Sequence, residues 1–179
     1  MKALLIVDVQ NDFCTGGALA AQGGEEVAPV INKIALKFDL VVASKDWHPE
    51  KTVHFDKWPE HCVQGTYGAA FHPDLNTTII DQVLEKGTAD VDDGYSAFEA
   101  TNVDLANYLK SKGIDTLYVS GIATDYCVLF SVLDALKEGF NTFVVEDAVR
   151  AVNLKDGDAQ RALDKMEQAG CVRILSKDI

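Results

Sequence analysis

Six short runs of the chain are almost continuously apolar, and between them apolar positions recur every three or four residues. The runs are KALLIVD (2–8), LVVASKD (40–46), QVLEKG (82–87), DTLYVSG (115–121), NTFVVED (141–147) and VRILS (172–176). Their Val, Ile and Leu content reads as strands buried on both faces. The segments EEVAPVINKIALKF (25–38), TNVDLANYLKSKG (101–113), DYCVLFSVLDALKEG (125–139) and DGDAQRALDKMEQAG (156–170) carry one apolar face at helical period. The last three close on Gly113, Gly139 and Gly170, where a left-handed residue ends a helix. Strands alternating with helices predict an α/β fold, a doubly wound, six-stranded parallel sheet with helices on both faces. Without repeats, low-complexity tracts or linkers, residues 1–179 read as a single domain.

One stretch breaks the alternation. From Trp47 to Asp81 the chain is irregular and rich in His, Pro, Gly and aromatics. A loop of that length inside a compact unit is usually functional. Open parallel sheets gather ligands beyond the carboxyl ends of their strands. Asp8, Asp46 and Lys86 stand at three such ends, and Cys127 follows a fourth by one turn.

Composition narrows the classes. The formal net charge of −12 argues against nucleic acid or an anionic membrane as partner. No apolar run approaches the roughly 18 residues of a membrane span. MKALLIVDVQNDF reads as a buried first strand and not as a signal peptide, so a cytoplasmic location is expected. Cys14, Cys62, Cys127 and Cys171 include no C-x-x-C pair and are expected to be free thiols. The sequence is compatible with a homo-oligomer and does not demand one.

Cys127 lies in SGIATDYC (120–127). With Thr124 as N-cap it would occupy the first turn of a helix, where the macrodipole favours a thiolate and lowers its pKa. Asp125 would oppose that shift if it pointed the same way. Cysteine is also among the most buried residue types, so a core role competes. Asp8 could serve as general base or simply cap a turn. Lys86, between a carboxylate and a thiol, would hold both in their charged forms.

A second constellation runs through KDWHPEKTVHFDKWPEHCVQG (45–65). Asp46 and His48 leave one face of an extended segment, and His54 and His61 add imidazoles from the loop. Three of the four histidines fall within fourteen residues, beside a carboxylate. Such a set suits one divalent transition metal ion (Zn, Fe or Mn), within a metal-binding loop at about 46–72. Cys62 diverges from its neighbour His61, Glu60 is an alternative to His54, and His72 before Pro73 looks like a turn residue. Gly16 and Gly17 lack the downstream G-K-[ST] of a phosphate loop.

With these positions in hand, LLIVDVQNDFCTGGAL, DWHPEKTVHF, WPEHCVQGTYGAAFHPDL, EKG…GYSAF and VSGIATDYCV, in order along nearly the whole chain, resemble the nicotinamidase branch of the isochorismatase-like cysteine hydrolases. The resemblance implies a catalytic trio of Asp8, Lys86 and Cys127. It implies metal ligands Asp46, His48 and His61, with His54 a further ligand in some members and not in others. It implies a cis Ile122–Ala123 peptide and an oxyanion hole from the N–H groups of Ala123 and Cys127. Phe13, Trp58, Tyr95 and Ile122 match positions of the family's substrate pocket, although each aromatic also reads as ordinary core. The implied reaction converts nicotinamide to nicotinate and ammonia through a Cys thioester, with activity on pyrazinamide and a role in recycling nicotinamide toward NAD. Two alternatives compete within the fold, hydrolysis of a non-pyridine amide or carbamoyl compound, and vinyl-ether cleavage of isochorismate. A third is a non-catalytic metal-binding or thiol redox-sensing protein.

Overall fold

The run Ala3–Val7 is fully buried along its length, as a strand covered on both faces must be. It belongs to β1 (Lys2–Val7) of a computed structural model that describes residues 1–179. Nine further elements follow: α1 (Val27–Ala35), β2 (Leu40–Asp46), β3 (Gln82–Lys86), α2 (Leu105–Ser111), β4 (Thr116–Ile122), α3 (Leu129–Lys137), β5 (Asn141–Arg150), α4 (Asp158–Gln168) and β6 (Val172–Ile174). The six strands form one sheet in the order β3-β2-β1-β4-β5-β6, every pairing parallel. The chain winds outward from β1 to β3, returns beside β1 as β4, and winds outward again. The order therefore reverses between β1 and β4, where an open sheet leaves a crevice at its carboxyl edge.

Period-2 alternation divides the core. Ala3, Leu5 and Val7 face the cluster built with α2, α3 and α4, whereas Leu4 and Ile6 face α1. Each fully buried Leu or Ile contributes about 1.5–3 kcal/mol. Only one helix covers the α1 side. The rest is covered by the β2–β3 connection, which has short 3₁₀ turns and no α-helix but buries Cys62, Ala69 and Leu75 in the same cluster.

The three glycine stops hold. Phe140 N–H bonds to Ala135 C=O and Gly139 N–H to Leu136 C=O, with equivalent pairs closing α2 and α4. Other boundaries moved. The expected first turn of 101–113 is absent because Asn102 pairs with edge strand β3, accepting from Glu85 N–H and donating to Val83 C=O, and Asp104 caps α2 instead. β5 runs to Arg150 past a register shift between Val119 and Gly121. β6 stops early because Asp147 takes both the N–H and the hydroxyl of Ser176. Gly121 has φ +110°, and a Cβ there would stand 2.0 Å from the Val7 carbonyl oxygen, so only glycine lets β4 approach β1 at this point. No helix is long and apolar enough to cross a membrane.

Candidate active site

Asp8 directly follows β1 in the left-handed region (φ +49°), a conformation that Asp tolerates better than most residues. Its carboxylate accepts from Ser44 Oγ at 2.7 Å and lies 2.8 Å from Lys86 Nζ. Lys86 ends β3 and is completely buried. Its ammonium also donates to Asp46, to the Gly94 carbonyl at 2.5 Å and to Cys127 Sγ at 3.6 Å. Donor atoms of Asp8, Asp46 and Cys127 all lie within 4.8 Å of one another. Residues separated by up to 119 positions thus meet at the carboxyl edge of the sheet.

Electrostatics in this cluster run partly against the sequence-based expectation. Burial opposes the charge on Lys86, but the carboxylates of Asp46 and Asp8 outweigh it and hold the ammonium well above its ordinary pKa. Asp46 is likewise buried, yet Lys86 and the His48 and His61 rings hold its carboxyl well below the usual range. Burial raises Asp8 despite Lys86, and Asp46 pushes it further up. Burial also drives Cys127 well above the ordinary thiol value, with Lys86 pulling back and both carboxylates pushing up. At rest Cys127 is therefore a thiol and not the thiolate that the helix position implies.

The turn itself also differs. Residues Thr124–Val128 form a wide π-helical turn ahead of α3, with Val128 N–H reaching Ala123 C=O at 3.0 Å. Ala123, not Thr124, occupies the N-cap position. The Ile122–Ala123 peptide is cis. The Ala123 N–H makes no hydrogen bond within the chain. Asp125 turns away from the thiol and accepts from the N–H groups of Val152 and Asn153 at 3.0 and 2.9 Å.

On the other side of Asp46 stand His48, His54 and His61, their ring nitrogens within 4.8 Å of one another. Each Nδ1 has an acceptor: the Gly87 carbonyl at 2.9 Å, the Asp92 carboxylate at 3.1 Å and the Pro59 carbonyl at 2.7 Å. That assigns the proton to Nδ1 and leaves each Nε2 lone pair free. His48 Nε2 is buried without a partner, and Asp46 Oδ2 lies 3.7 Å from both His48 Nε2 and His61 Nε2. Burial, with His48 and His61 nearby, lowers His54 to about 4, so its ring is neutral at physiological pH. Three imidazoles and one carboxylate are the donor chemistry of a divalent transition metal. Cys62, buried against Gly68, and His72, beside Asp74, stand outside it, as expected.

Between the two clusters opens a cavity lined by Phe13, Leu19, Asp46, His54, Trp58, His61, Gly94, Tyr95, Ala123, Tyr126, Cys127 and Val152. Trp58 meets Tyr126 edge-on at 4.9 Å and donates from Nε1 to the Tyr95 hydroxyl at 3.0 Å. Phe13, Trp58 and Tyr95 face the cavity as the resemblance implied. Ile122 does not: its side chain is fully buried in the α1-side core, because its position in β4 points it toward that helix.

Leu19, Tyr126 and Val152 were missed, as nothing in their spacing marks them. Gln10 was missed too. Its amide accepts from the Asp46 N–H and donates to the Asp46 carbonyl, both at 2.8 Å, fixing the β2 end from which Asp46 projects.

Comparison with known proteins places the whole arrangement in context. The isochorismatase domain model matches residues 2–178. The nicotinamidase of Acinetobacter baylyi is 40% identical, over 99% of this chain and 94% of its own. The structure of PnC1 from L. infantum in complex with nicotinate superposes with a TM-score of 0.92 at 38% identity, covering 99% of this chain and 93% of that one. Pyrazinamidase of Pyrococcus horikoshii in complex with zinc gives 0.87 at 39%, covering 97% and 98%. With the domain model matched over residues 2–178 and these relatives aligned almost end to end, the chain belongs to the isochorismatase family.

Proposed function

We propose that the chain is an amidohydrolase that converts nicotinamide to nicotinate and ammonia, and acts on pyrazinamide as well, with residues 1–179 working as one domain and 46–72 as its metal-binding loop. One observation carries the reading: the buried ammonium of Lys86 touches Asp8, Asp46 and Cys127 at the floor of an aromatic cavity, with the histidine cluster on its far side. The nicotinate complex of one relative and the zinc complex of another support the same assignment.

Asp46, His48, His54 and His61 would hold one divalent transition metal ion, which would supply a borderline Lewis acid suited to a pyridine nitrogen. Phe13, Trp58, Tyr95 and Tyr126 sandwich the flat ring and place the carboxamide over Cys127. Asp8 takes the Sγ proton as sulfur forms its bond to the carboxamide carbon. The raised pKa makes the Asp8 carboxylate the stronger proton acceptor, and the raised thiol pKa keeps the proton on Cys127 until sulfur begins to bond, which suits a transfer coupled to attack. The N–H groups of Ala123 and Cys127 receive the oxyanion, at about 3–4 kcal/mol per donor. Asp8 returns the proton to nitrogen, the C–N bond breaks, and ammonia leaves a nicotinoyl thioester. Asp8 then draws a proton from water as it adds to the thioester carbon. Nicotinate departs and sulfur recovers its proton. Lys86 stays charged throughout and keeps Asp8 and Cys127 in register.

The test is ammonia release from nicotinamide and from pyrazinamide by purified protein supplied with Zn²⁺, Fe²⁺ or Mn²⁺, with Cys127→Ala as control. Release by the wild type alone is expected. No release from either amide with any of the three metals ends this reading, and release only from a ureido compound transfers the protein to the carbamoyl-acting alternative.

A further inference from the structure

Asp92 lies outside the cavity lining, with its side chain 25% exposed, yet three lining residues depend on it. Its Oδ1 accepts from His54 Nδ1 at 3.1 Å and from the Tyr95 hydroxyl at 3.0 Å. Its Oδ2 pairs with Lys57. Tyr95 in turn accepts from Trp58 Nε1. A single oxygen therefore joins an imidazole of the histidine cluster to the aromatic wall, and every donor in the chain His54–Asp92–Tyr95–Trp58 is satisfied.

We propose that Asp92 is a positioning residue that couples the metal-holding side of the cavity to its ring-binding wall. The proposal rests on the nicotinamide-hydrolysing reading for its substrate. Two physical consequences follow from one carboxylate. A hydrogen-bonded Nδ1–H fixes the His54 tautomer, so that Nε2 points its lone pair at the cluster and the ring gains basicity. The same oxygen fixes the Tyr95 hydroxyl rotor, which then presents a lone pair to Trp58 and holds the indole against Tyr126. His48 and His61 rely instead on backbone carbonyls. His54 is thus the one imidazole of the three whose orientation depends on a side chain, and that side chain also sets the wall.

Three variants separate the two consequences: Asp92→Ala, Asp92→Asn and Tyr95→Phe. Metal affinity is measured by competition with a chelator, KM and kcat for nicotinamide at saturating metal, and Tm for each. Asp92→Ala is expected to weaken metal binding by about 10–100-fold and to raise KM by about fivefold or more, a penalty of roughly 1 kcal/mol, with kcat nearly retained. Tyr95→Phe should raise KM and leave metal affinity within about twofold, because it breaks only the wall. Asp92→Asn keeps an acceptor for His54 but loses charge assistance, so its metal affinity should fall by roughly three- to tenfold. A merely structural Asp92 would lower Tm and leave both affinities unchanged. An Asp92→Ala protein within twofold of wild type in both metal affinity and KM overturns the proposal. If Asp92→Ala does not fold, wild-type metal affinity in Asp92→Asn overturns it equally. A wild type that binds metal but releases no ammonia ends the functional reading and leaves the metal comparison intact.

Discussion

The two halves of the site are equally buried but built by different means. Asp8, Lys86 and Cys127 project from strand ends or the turn that follows one, so the hydrogen-bond ladder of the sheet sets their spacing. His48, His54 and His61 sit on a connection with no α-helix or strand of its own. Their positions come from side chains that reach into backbone. Asp12 accepts from Cys62 N–H at 2.7 Å, Asp90 accepts from Val53 N–H at 2.8 Å, and the Gln64 amide donates to Trp47 C=O at 2.8 Å. Regular structure makes the reacting group rigid through many shared bonds. The loop reaches comparable order with a few bonds, each of which matters separately.

The largest expected effect removes the sulfur proposed as nucleophile. Cys127→Ala should lower kcat by about 10⁴-fold or more, while calorimetry still detects nicotinamide binding, because nothing else in the cavity changes.

Two glycine substitutions then sharpen the contrast. Gly121→Ala forces a Cβ against the Val7 backbone inside the sheet, where no side chain can yield. It should cost about 3 kcal/mol or more and lower Tm by roughly 6–12 °C. Gly87→Ala instead puts a Cβ 2.4 Å from the His48 ring at φ +65°. Its melting curve should shift less, whereas metal retention after dialysis should fall sharply. Equal losses of Tm in the two variants would contradict the division drawn above.

Stripping the metal with a chelator attacks the loop half alone. KM should rise by about tenfold or more, the equivalent of one 1.4 kcal/mol contact, while iodoacetamide still alkylates Cys127 in the stripped protein. Loss of that alkylation would mean that the two halves do not fold independently.

Acidity gives a finer test. Cys127 is held well above the ordinary thiol value of 9.0, so its alkylation in the substrate-free protein should climb with pH through 9 and show no plateau near neutrality. Asp8 is raised above the ordinary 3.8, so kcat/KM should fall on acidification at a pH above that value. For stability the sign is opposite to that of a paired carboxylate: a raised folded pKa favours the protonated form, so the contribution of Asp8 declines as pH rises from 3.8 through its folded pKa and is level thereafter. The smallest effect is expected from Lys57→Met, since the exposed Lys57–Asp92 pair is well screened. Its Tm should not move measurably.

Periodicity alone located all six strands and the strand ends bearing Asp8, Asp46 and Lys86, because burial on both faces leaves an unmistakable apolar run. The glycine stops of three helices were legible for the same kind of local reason. The protonated state of Cys127 was not. It depends on desolvation and on carboxylates 81 and 119 residues away, neither of which spacing conveys. Gln10 and Asp92 escaped for a related reason. Their value lies in which distant backbone atom or ring they meet, and a lone Gln or Asp in sequence says nothing of that. The burial of the Ile122 side chain on the α1 face was not legible either, since it depends on which face of the sheet β4 turns toward that helix.

The six residues from Asp8 to Phe13 carry four unrelated duties. They supply the proposed base, a bracket on the second strand, an anchor for the histidine loop and one wall of the cavity, through Asp8, Gln10, Asp12 and Phe13. Adding or deleting a single residue there would throw all four out of phase together. The length of this segment is therefore held as tightly as the four side chains it carries.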